Sequence, residues 1–317
     1  MQATPVTPVR QSSRSNLCGC FSQSVWDPVT NGEEWLFLLD LLPEEDQKQV
    51  ELFRFKDDQK RALLSRLLQR RCVNVALGVP WNKVRIKRTK AKKPFVVGAP
   101  ARPHAPNFNF NVSHEGNYVV LASEPVCIVG VDVAAPQQIR AARPAAGGVK
   151  PASSMEDLQQ TFQRQFTAHE WEVINGAGHT TEEKEDEFRR HWSLKEALVK
   201  ARGDGLGFAL GKADFRFDDQ DRNSARVLME GRPQQRWRFT LQELGNGHWV
   251  SVARGPPEDI VDAWQEFSAT LLYPCTAEPE FQAALDAPSP PFSVLRVIDL
   301  LPEGLRAAYL DTGADAL

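Results

Sequence analysis

The 317-residue chain is 42% hydrophobic and 25% charged, enough for one large or two small domains with a buried core. Its net charge of −3 argues against general nucleic-acid binding; no run approaches the roughly 18 apolar residues of a membrane span, and residues 1–20 lack the apolar stretch of a signal peptide. Cys18, Cys20, Cys72, Cys127 and Cys275 are odd in number and form no Cys-x-x-Cys pair, so no disulfide framework or zinc site is expected and a reducing cytosol fits.

Residues 1–22, rich in Ser, Thr, Pro and Gln, are expected to form a disordered tail. An apolar run from Trp35 to Leu42 ends at Pro43, and Glu44–Phe55 predicts a short helix. Gln59–Leu77 keeps the helical period through Leu64, Leu67, Leu68, Cys72 and Val75, with Gly78 and Pro80 closing it. Val84–Arg88 alternates apolar with basic, and Lys83, Arg85, Lys87, Arg88, Lys90, Lys92 and Lys93 crowd together, so a local anion is a reasonable partner. Phe108, Phe110 and Val112 alternate with Asn107, Asn109 and Asn111, as in a strand with one packed and one polar face. A turn at Glu115-Gly116-Asn117 separates this strand from Tyr118–Ala122, and Val126–Val133 reads as a central strand.

Residues 135–152 carry no periodicity and read as a linker between an N-terminal half, 23–134, and a C-terminal half, 153–273. Ser153 with Glu156 and Thr167 with Glu170 have capping-box spacing, and a loop over Gly176–Asp186 should precede a helix from about Glu187 to Arg202, stopped by Gly203. Strands are expected at Ala213–Phe217, Ala225–Glu230, Arg236–Leu241 and His248–Ala253, then a loosely held extension, 274–317, with one short helix near Pro302–Leu310. Each half thus runs long helix then antiparallel strands, which predicts an α+β pseudo-dimer of two similar halves with a ligand site in the cleft between them.

On the second helix, Leu194, Ala197, Leu198 and Ala201 form the core stripe, leaving Glu196 and Lys200 one turn apart on the flank. They are either a surface ion pair or part of a site; the glycine-dense exit Gly203-Asp204-Gly205-Leu206-Gly207, which lets backbone pass close to a neighbour, favours the site. Asp132 lies on an apolar strand and needs a basic side chain, a metal ion or backbone N–H groups to meet it. Glu115, Asp132 and Glu196 without a Cys/His set describe an oxygen-ligand site suited to Mg²⁺ between protein and phosphates. Ser113 and His114 are not a nucleophile pair, since neighbours in an extended segment point to opposite faces.

Four blocks in order, Phe110-Asn111-Val112-Ser113-His114, Val129-Gly130-Val131-Asp132-Val133, Phe166-Thr167-Ala168-His169-Glu170-Trp171 and Trp192-Ser193-Leu194-Lys195-Glu196-Ala197-Leu198-Val199-Lys200-Ala201, resemble the signature of 4'-phosphopantetheinyl transferases of the surfactin-synthetase-activating type. Pro80-Trp81-Asn82 and Phe108-Asn109-Phe110-Asn111 point to the eukaryotic branch that serves aminoadipate-semialdehyde dehydrogenase. The resemblance implies a magnesium-dependent enzyme, a cytosolic monomer, that moves 4'-phosphopantetheine from coenzyme A to a serine of apo carrier proteins and releases adenosine 3',5'-bisphosphate. Acyl carrier protein, fatty acid synthase and aminoadipate-semialdehyde dehydrogenase are the partner types it implies, with neither nucleic acid nor membrane.

By matched position, the resemblance makes Asp132 and Glu196 the metal ligands, with Glu115 binding directly or through water. It puts the 3'-phosphate on Arg88 and His114, with Lys48 where relatives carry Arg, and the pyrophosphate on Lys200. Arg88, Thr89, Lys90, Ala91, Lys92 and Lys93 would line the adenine nucleotide, and Asn111, Val112 and Ser113 belong to the same coenzyme A site. Either Glu196 or a metal-bound water would take the serine proton. A non-catalytic nucleotide- or nucleic-acid-binding module built on Lys83–Lys93 is the rival; it leaves Asp132, Glu196 and Lys200 idle.

Overall fold

The computed structural model describes residues 17–22, 26–29, 31–100, 102–136, 154–273 and 277–314. Its first element, β1 (Leu17–Ser22), falls inside the expected tail. The polar composition around it hides a short β-prone segment whose Cys20 and Phe21 are buried. Helices α1 (Glu33–Asp40), α2 (Glu44–Glu51) and α3 (Lys56–Leu77) follow. Along α3, Leu63, Leu64, Leu67, Leu68, Cys72 and Val73 are buried in the first core, and Gly78 ends it in the left-handed region at φ +64°.

A hairpin of β2 (Ile86–Arg88) and β3 (Pro94–Val96) precedes β4 (Asn109–Glu115), β5 (Tyr118–Glu124) and β6 (Ile128–Ala134). Within the first sheet β1, β5 and β4 are neighbours in that order and antiparallel to one another. β6 does not join it. Although it lies within the expected N-terminal half, β6 pairs antiparallel with a strand over a hundred residues later, from Ile128 against Gly255 to Ala134 against Trp249. An all-apolar run announces a buried strand but not its partner.

The second half contains α4 (Met155–Phe162), α5 (Ala168–Gly176) and α6 (Thr181–Arg202), then β7 (Ala213–Phe217), β8 (Ser224–Met229), β9 (Arg232–Pro233), β10 (Arg238–Gly245) and β11 (His248–Gly255). The N-cap of α4 is Ser154, bonded to the Asp157 N–H, one residue past the expected box. The Thr167–Glu170 box of α5 forms as expected. α6 begins inside the expected loop because Thr180 and Glu183 make a further capping box, and Gly203 closes it at φ +84°. The second sheet runs β6-β11-β10-β8-β7, with β9 beside β8, and α6 lies across it. Gly130 permits this: a Cβ there would strike the Ala197 carbonyl and the Ala201 backbone of α6.

The two sheets meet through side chains. Asn109, Asn111, Ser113 and Glu115, alternate residues of β4, accept hydrogen bonds from the N–H groups of Val129 (2.9 Å), Val131 (3.0 Å), Val133 (3.4 Å) and Ala135 (2.9 Å) on the free edge of β6. The asparagine face is therefore polar but buried, Asn109 and Asn111 being 1% and 3% exposed, because it satisfies a strand edge that no other strand covers among the described residues.

The C-terminal extension, expected to be loose, is a strap over both sheets. α7 (Glu278–Leu285) buries Phe281 and Leu285 against Cys127, and Arg254 on β11 donates to the carbonyls of Ala284 and Ala287 at 3.3 and 2.8 Å. β12 (Ser293–Leu295) pairs in parallel with β1, and α8 (Glu303–Leu310) places Tyr309, 1% exposed, so that its hydroxyl donates to Glu34 on α1 at 2.6 Å. Of the expected linker, residues 137–152 lie outside the described residues.

Candidate functional site

The core stripe of α6 turns Glu196 and Lys200 together away from the second sheet and toward the seam between β4 and β6. There the Lys200 ammonium donates to Asp132 Oδ1 (2.5 Å) and Ser113 Oγ (2.8 Å), and the Ser113 hydroxyl donates to the same Asp132 oxygen (2.9 Å). One partner of Asp132 is thus a basic side chain. Burial, reinforced by the charge of Asp132, pushes the Glu196 carboxyl up to about 7 against the pull of Lys200. Glu115 is likewise pushed up to about 7 by burial and by Asp132, although it accepts the Ala135 N–H.

A cleft of about 720 Å³ opens above this cluster. Arg88 and Lys92 form a basic lip, Asn111 and Val112 line one wall, and Glu196 and Lys200 lie in the lining. The opposite wall is largely apolar, from Trp192, Phe208 and Leu210, with Arg164 and Gln165 beside them. An adjoining groove of about 560 Å³ runs between the β2–β3 turn, Thr89 to Lys92, and the loop from Gly203 to Leu206. The glycine-dense exit of α6 is explained here: Gly205 has φ +59°, and a Cβ on it would sit 3.1 Å from Cβ of Ala91.

Arg88, Ala91, Lys92, Lys93, Asn111, Val112, Glu196 and Lys200 therefore share the cleft, and Thr89 and Lys90 share the groove. Lys93 reaches the cleft only with its stem. Its buried ammonium, held down to about 7 by burial, donates to the carbonyls of Val129 (2.6 Å) and Lys200 (3.0 Å). Ser113 and Asp132 sit beneath Lys200. His114 is exposed at the end of β4, outside the cleft lining, with Lys200, Arg61 and Asp58 as charged neighbours. Lys48 is not brought to the cleft lining; it is exposed on α2, paired with Glu44 at 2.6 Å.

Arg164, Gln165 and Leu210 were not singled out from sequence. The first two stand directly before the Phe166-Thr167 block, the one signal that could have drawn attention to them. Gln165 stands out because its Oε1 is buried without a hydrogen-bond partner among the described residues.

Two family profiles match the chain: "4'-phosphopantetheinyl transferase, N-terminal" over residues 24–126 and "4'-phosphopantetheinyl transferase superfamily" over residues 128–253. The boundary between them falls just before β6, as the strand pairing does. The chain is 33% identical over 244 residues to the L-aminoadipate-semialdehyde dehydrogenase-phosphopantetheinyl transferase of Rattus norvegicus, covering 75% of this chain and 74% of that protein. It is 37% identical over 220 residues to a phosphopantetheinyl transferase of Thraustochytrium, covering 67% and 69%. A 4'-phosphopantetheinyl transferase of Bacillus pumilus is 28% identical over 183 residues, covering 58% and 67%. With both profiles matched in order along one chain whose sheets meet at their boundary, the protein belongs to the 4'-phosphopantetheinyl transferase superfamily.

Proposed function

We propose that this transferase moves 4'-phosphopantetheine from coenzyme A to a serine hydroxyl of apo carrier proteins, including acyl carrier protein, fatty acid synthase and aminoadipate-semialdehyde dehydrogenase. The observation that carries the reading is the Glu196, Lys200 and Asp132 cluster lining or underlying a cleft of about 720 Å³ with a basic lip. Phosphoryl transfer asks chiefly for positioning and charge neutralisation, and those are what the cleft offers. In the step, the serine Oγ bonds to the β-phosphorus of coenzyme A. The bond from that phosphorus to the oxygen bridging to the α-phosphate breaks, and adenosine 3',5'-bisphosphate leaves with the electron pair. Glu196, a carboxylate in the cleft lining beside Lys200, is the side chain suited to take the serine proton. Lys200 offsets charge on the departing phosphate, and Arg88 and Lys92 hold the nucleotide end.

The donor chemistry fits Mg²⁺. Glu115, Asp132 and Glu196 offer only oxygen, and two of the three are held up to about 7 partly by repulsion from Asp132, a crowding that a hard cation relieves. They are not drawn together as a metal cluster among the described residues, and Asp132 is engaged by Lys200. Asp132 and Glu196, with Glu115, would hold the ion, which when bound would polarise the transferred phosphate. In the rival binding module Lys93 is buried and Lys87 pairs with Glu266 at 3.2 Å, and the cluster of Asp132, Glu196 and Lys200 is left without a role.

The test is to incubate the protein with coenzyme A, Mg²⁺ and an apo acyl carrier protein and weigh the product. A serine-linked gain of one phosphopantetheine is expected; an unmodified carrier, with aminoadipate-semialdehyde dehydrogenase also unmodified, overturns the reading.

A further inference from the structure

On the far side of α6 from the cleft lies a second cavity, of about 240 Å³, between α5, α6 and the β7–β8 edge, sharing no lining residue with the cleft. His191 points there, and the spacing from His191 to Lys200 places the two on opposite sides of a helix with about 3.6 residues per turn. His191 is 0% exposed. Its Nδ1 lies 3.0 Å from the Glu187 carbonyl oxygen, which can only accept, so Nδ1 carries the proton and Nε2 presents a lone pair. That Nε2 is buried and has no hydrogen-bond partner among the described residues. Burial holds the imidazole far down, to about 3, so it stays neutral.

The lining of the same cavity carries guanidinium groups. Arg216 and Arg226 stand directly opposite each other in the β7–β8 register, an arrangement that like charges disfavour unless something offsets it. Arg216 gives only its Nε to Asp214, at 3.0 Å, and Arg226 has no partner among the described residues. Arg222 gives one nitrogen to Glu187 at 2.7 Å. His169, the other imidazole of the lining, is engaged with Asp214 at 3.2 Å. Asp219 contributes a carboxylate, so the lining combines several donors for an anion with two acceptors, Asp219 and His191 Nε2, that a fully deprotonated anion could not satisfy.

We propose that this cavity binds a protonated oxyanion of the phosphate class, its bare oxygens on Arg216, Arg222 and Arg226 and its P–O–H donating to His191 or Asp219. The acceptors set the selectivity: phosphate keeps a proton near neutral pH and sulfate does not, so sulfate would bring an oxygen lone pair against the imidazole lone pair. The site stands apart from the transfer reaction, and its test does not depend on that reading.

The experiment is titration of the full chain with inorganic phosphate and, separately, with sulfate, by calorimetry and by the nitrogen shift of His191 Nε2. Saturation by phosphate is expected, with sulfate weaker by about tenfold or more, the worth of one hydrogen bond to a charged group. Arg226→Gln, an exposed residue whose loss does not threaten folding, and Arg216→Gln should each shift the phosphate midpoint read at His191 Nε2 by about tenfold, while Arg88→Ala in the cleft leaves that His191 titration unchanged. A phosphoserine competition shows the source: displacement of phosphate assigns the site to monoesters, and no displacement assigns it to the free anion. Equal affinity for sulfate, binding indifferent to both arginine changes, or no saturation by about 20 mM phosphate overturns the proposal.

Discussion

The ammonium of Lys93 lies 3.0 Å from the main-chain carbonyl oxygen of Lys200, the residue whose own ammonium holds Asp132. Because Lys93 also donates to Val129 at 2.6 Å, one buried cation ties the β2–β3 hairpin to the last turn of α6 and to β6. Lys93→Met would keep the stem and leave both carbonyls without that donor. A loss of about 2 to 4 kcal/mol is expected in urea unfolding, with slower turnover as Lys200 loses its support. Unchanged stability and turnover together would show that the tether is dispensable.

Glu196→Gln and Asp132→Asn should each reduce turnover by about a hundredfold or more, since each removes a charge whose effect is greatest in the transition state. Circular dichroism should show the fold retained, because both changes preserve shape. Near wild-type turnover in either variant would remove that residue from the mechanism.

The raised carboxyl of Glu115 makes a prediction about pH without any assay of activity. A carboxyl whose folded pKa, about 7, exceeds its unfolded value near 4.5 contributes stability that is fully present below the unfolded value and is lost as pH rises through the folded one. Glu115→Gln keeps an acceptor for the Ala135 N–H but cannot ionise. Between pH 4.5 and 7, in chelator, wild-type stability should fall relative to the variant, and added Mg²⁺ should recover more for the wild type at pH 8 than at pH 5. Parallel pH profiles for the two proteins would contradict this.

Gln165 lines the cleft beside Arg164 with its Oε1 buried and without a partner among the described residues, so a small turn of its amide would present an acceptor, and the pantetheine arm of coenzyme A carries amide N–H groups. Gln165→Leu should therefore weaken coenzyme A by about 0.5 to 1.5 kcal/mol, the net worth of a neutral hydrogen bond, while adenosine 3',5'-bisphosphate, which lacks the arm, binds as before. Equal weakening of both ligands would place Gln165 at the nucleotide or in the fold.

For the nucleotide end, Arg88→Ala should cost about 1.5 to 3 kcal/mol in coenzyme A affinity but little for 3'-dephospho-coenzyme A, if the 3'-phosphate rests on this basic lip. Lys48→Ala should change either affinity by less than about threefold, because its ammonium is exposed and engaged by Glu44. Calorimetry of the wild type and both variants with each of the two ligands separates the two contributions.

What the sequence made legible follows from how local each signal is. The stripe Leu194, Ala197, Leu198 and Ala201 and the stop at Gly203 specified most of α6, and with it the flank that presents Glu196 and Lys200. The box Thr180–Glu183 was equally local and marks an earlier start than apolar periodicity alone suggested. The role of Asn109 and Asn111 was hidden, because alternation reports that one face of a strand is polar and says nothing of whether water or another strand's edge meets it. The same holds for β6, whose partner β11 is distant in sequence, and for Lys93, which read as one more cation of a basic run. The strap was obscured by its Pro, Ala and Asp content, within which Phe281, Leu285 and Tyr309 are buried. Asp132 and Glu196 gained their roles through resemblance; their electrostatic coupling needed coordinates.

The parallel pairing of β12 with β1, Gly19 opposite Ser293, sets an order of events at the ribosome. β1 is made early and can pair with β5 within about a hundred further residues, but its outer edge waits for nearly the whole chain to be translated. Throughout that interval Gly19 to Phe21 present an unpaired strand edge, the kind of surface on which nascent chains associate wrongly or recruit a chaperone. Ribosome-stalled chains ending before Ser293 should bind a strand-capturing chaperone at this edge, and chains that extend past α8 and clear the exit tunnel should release it.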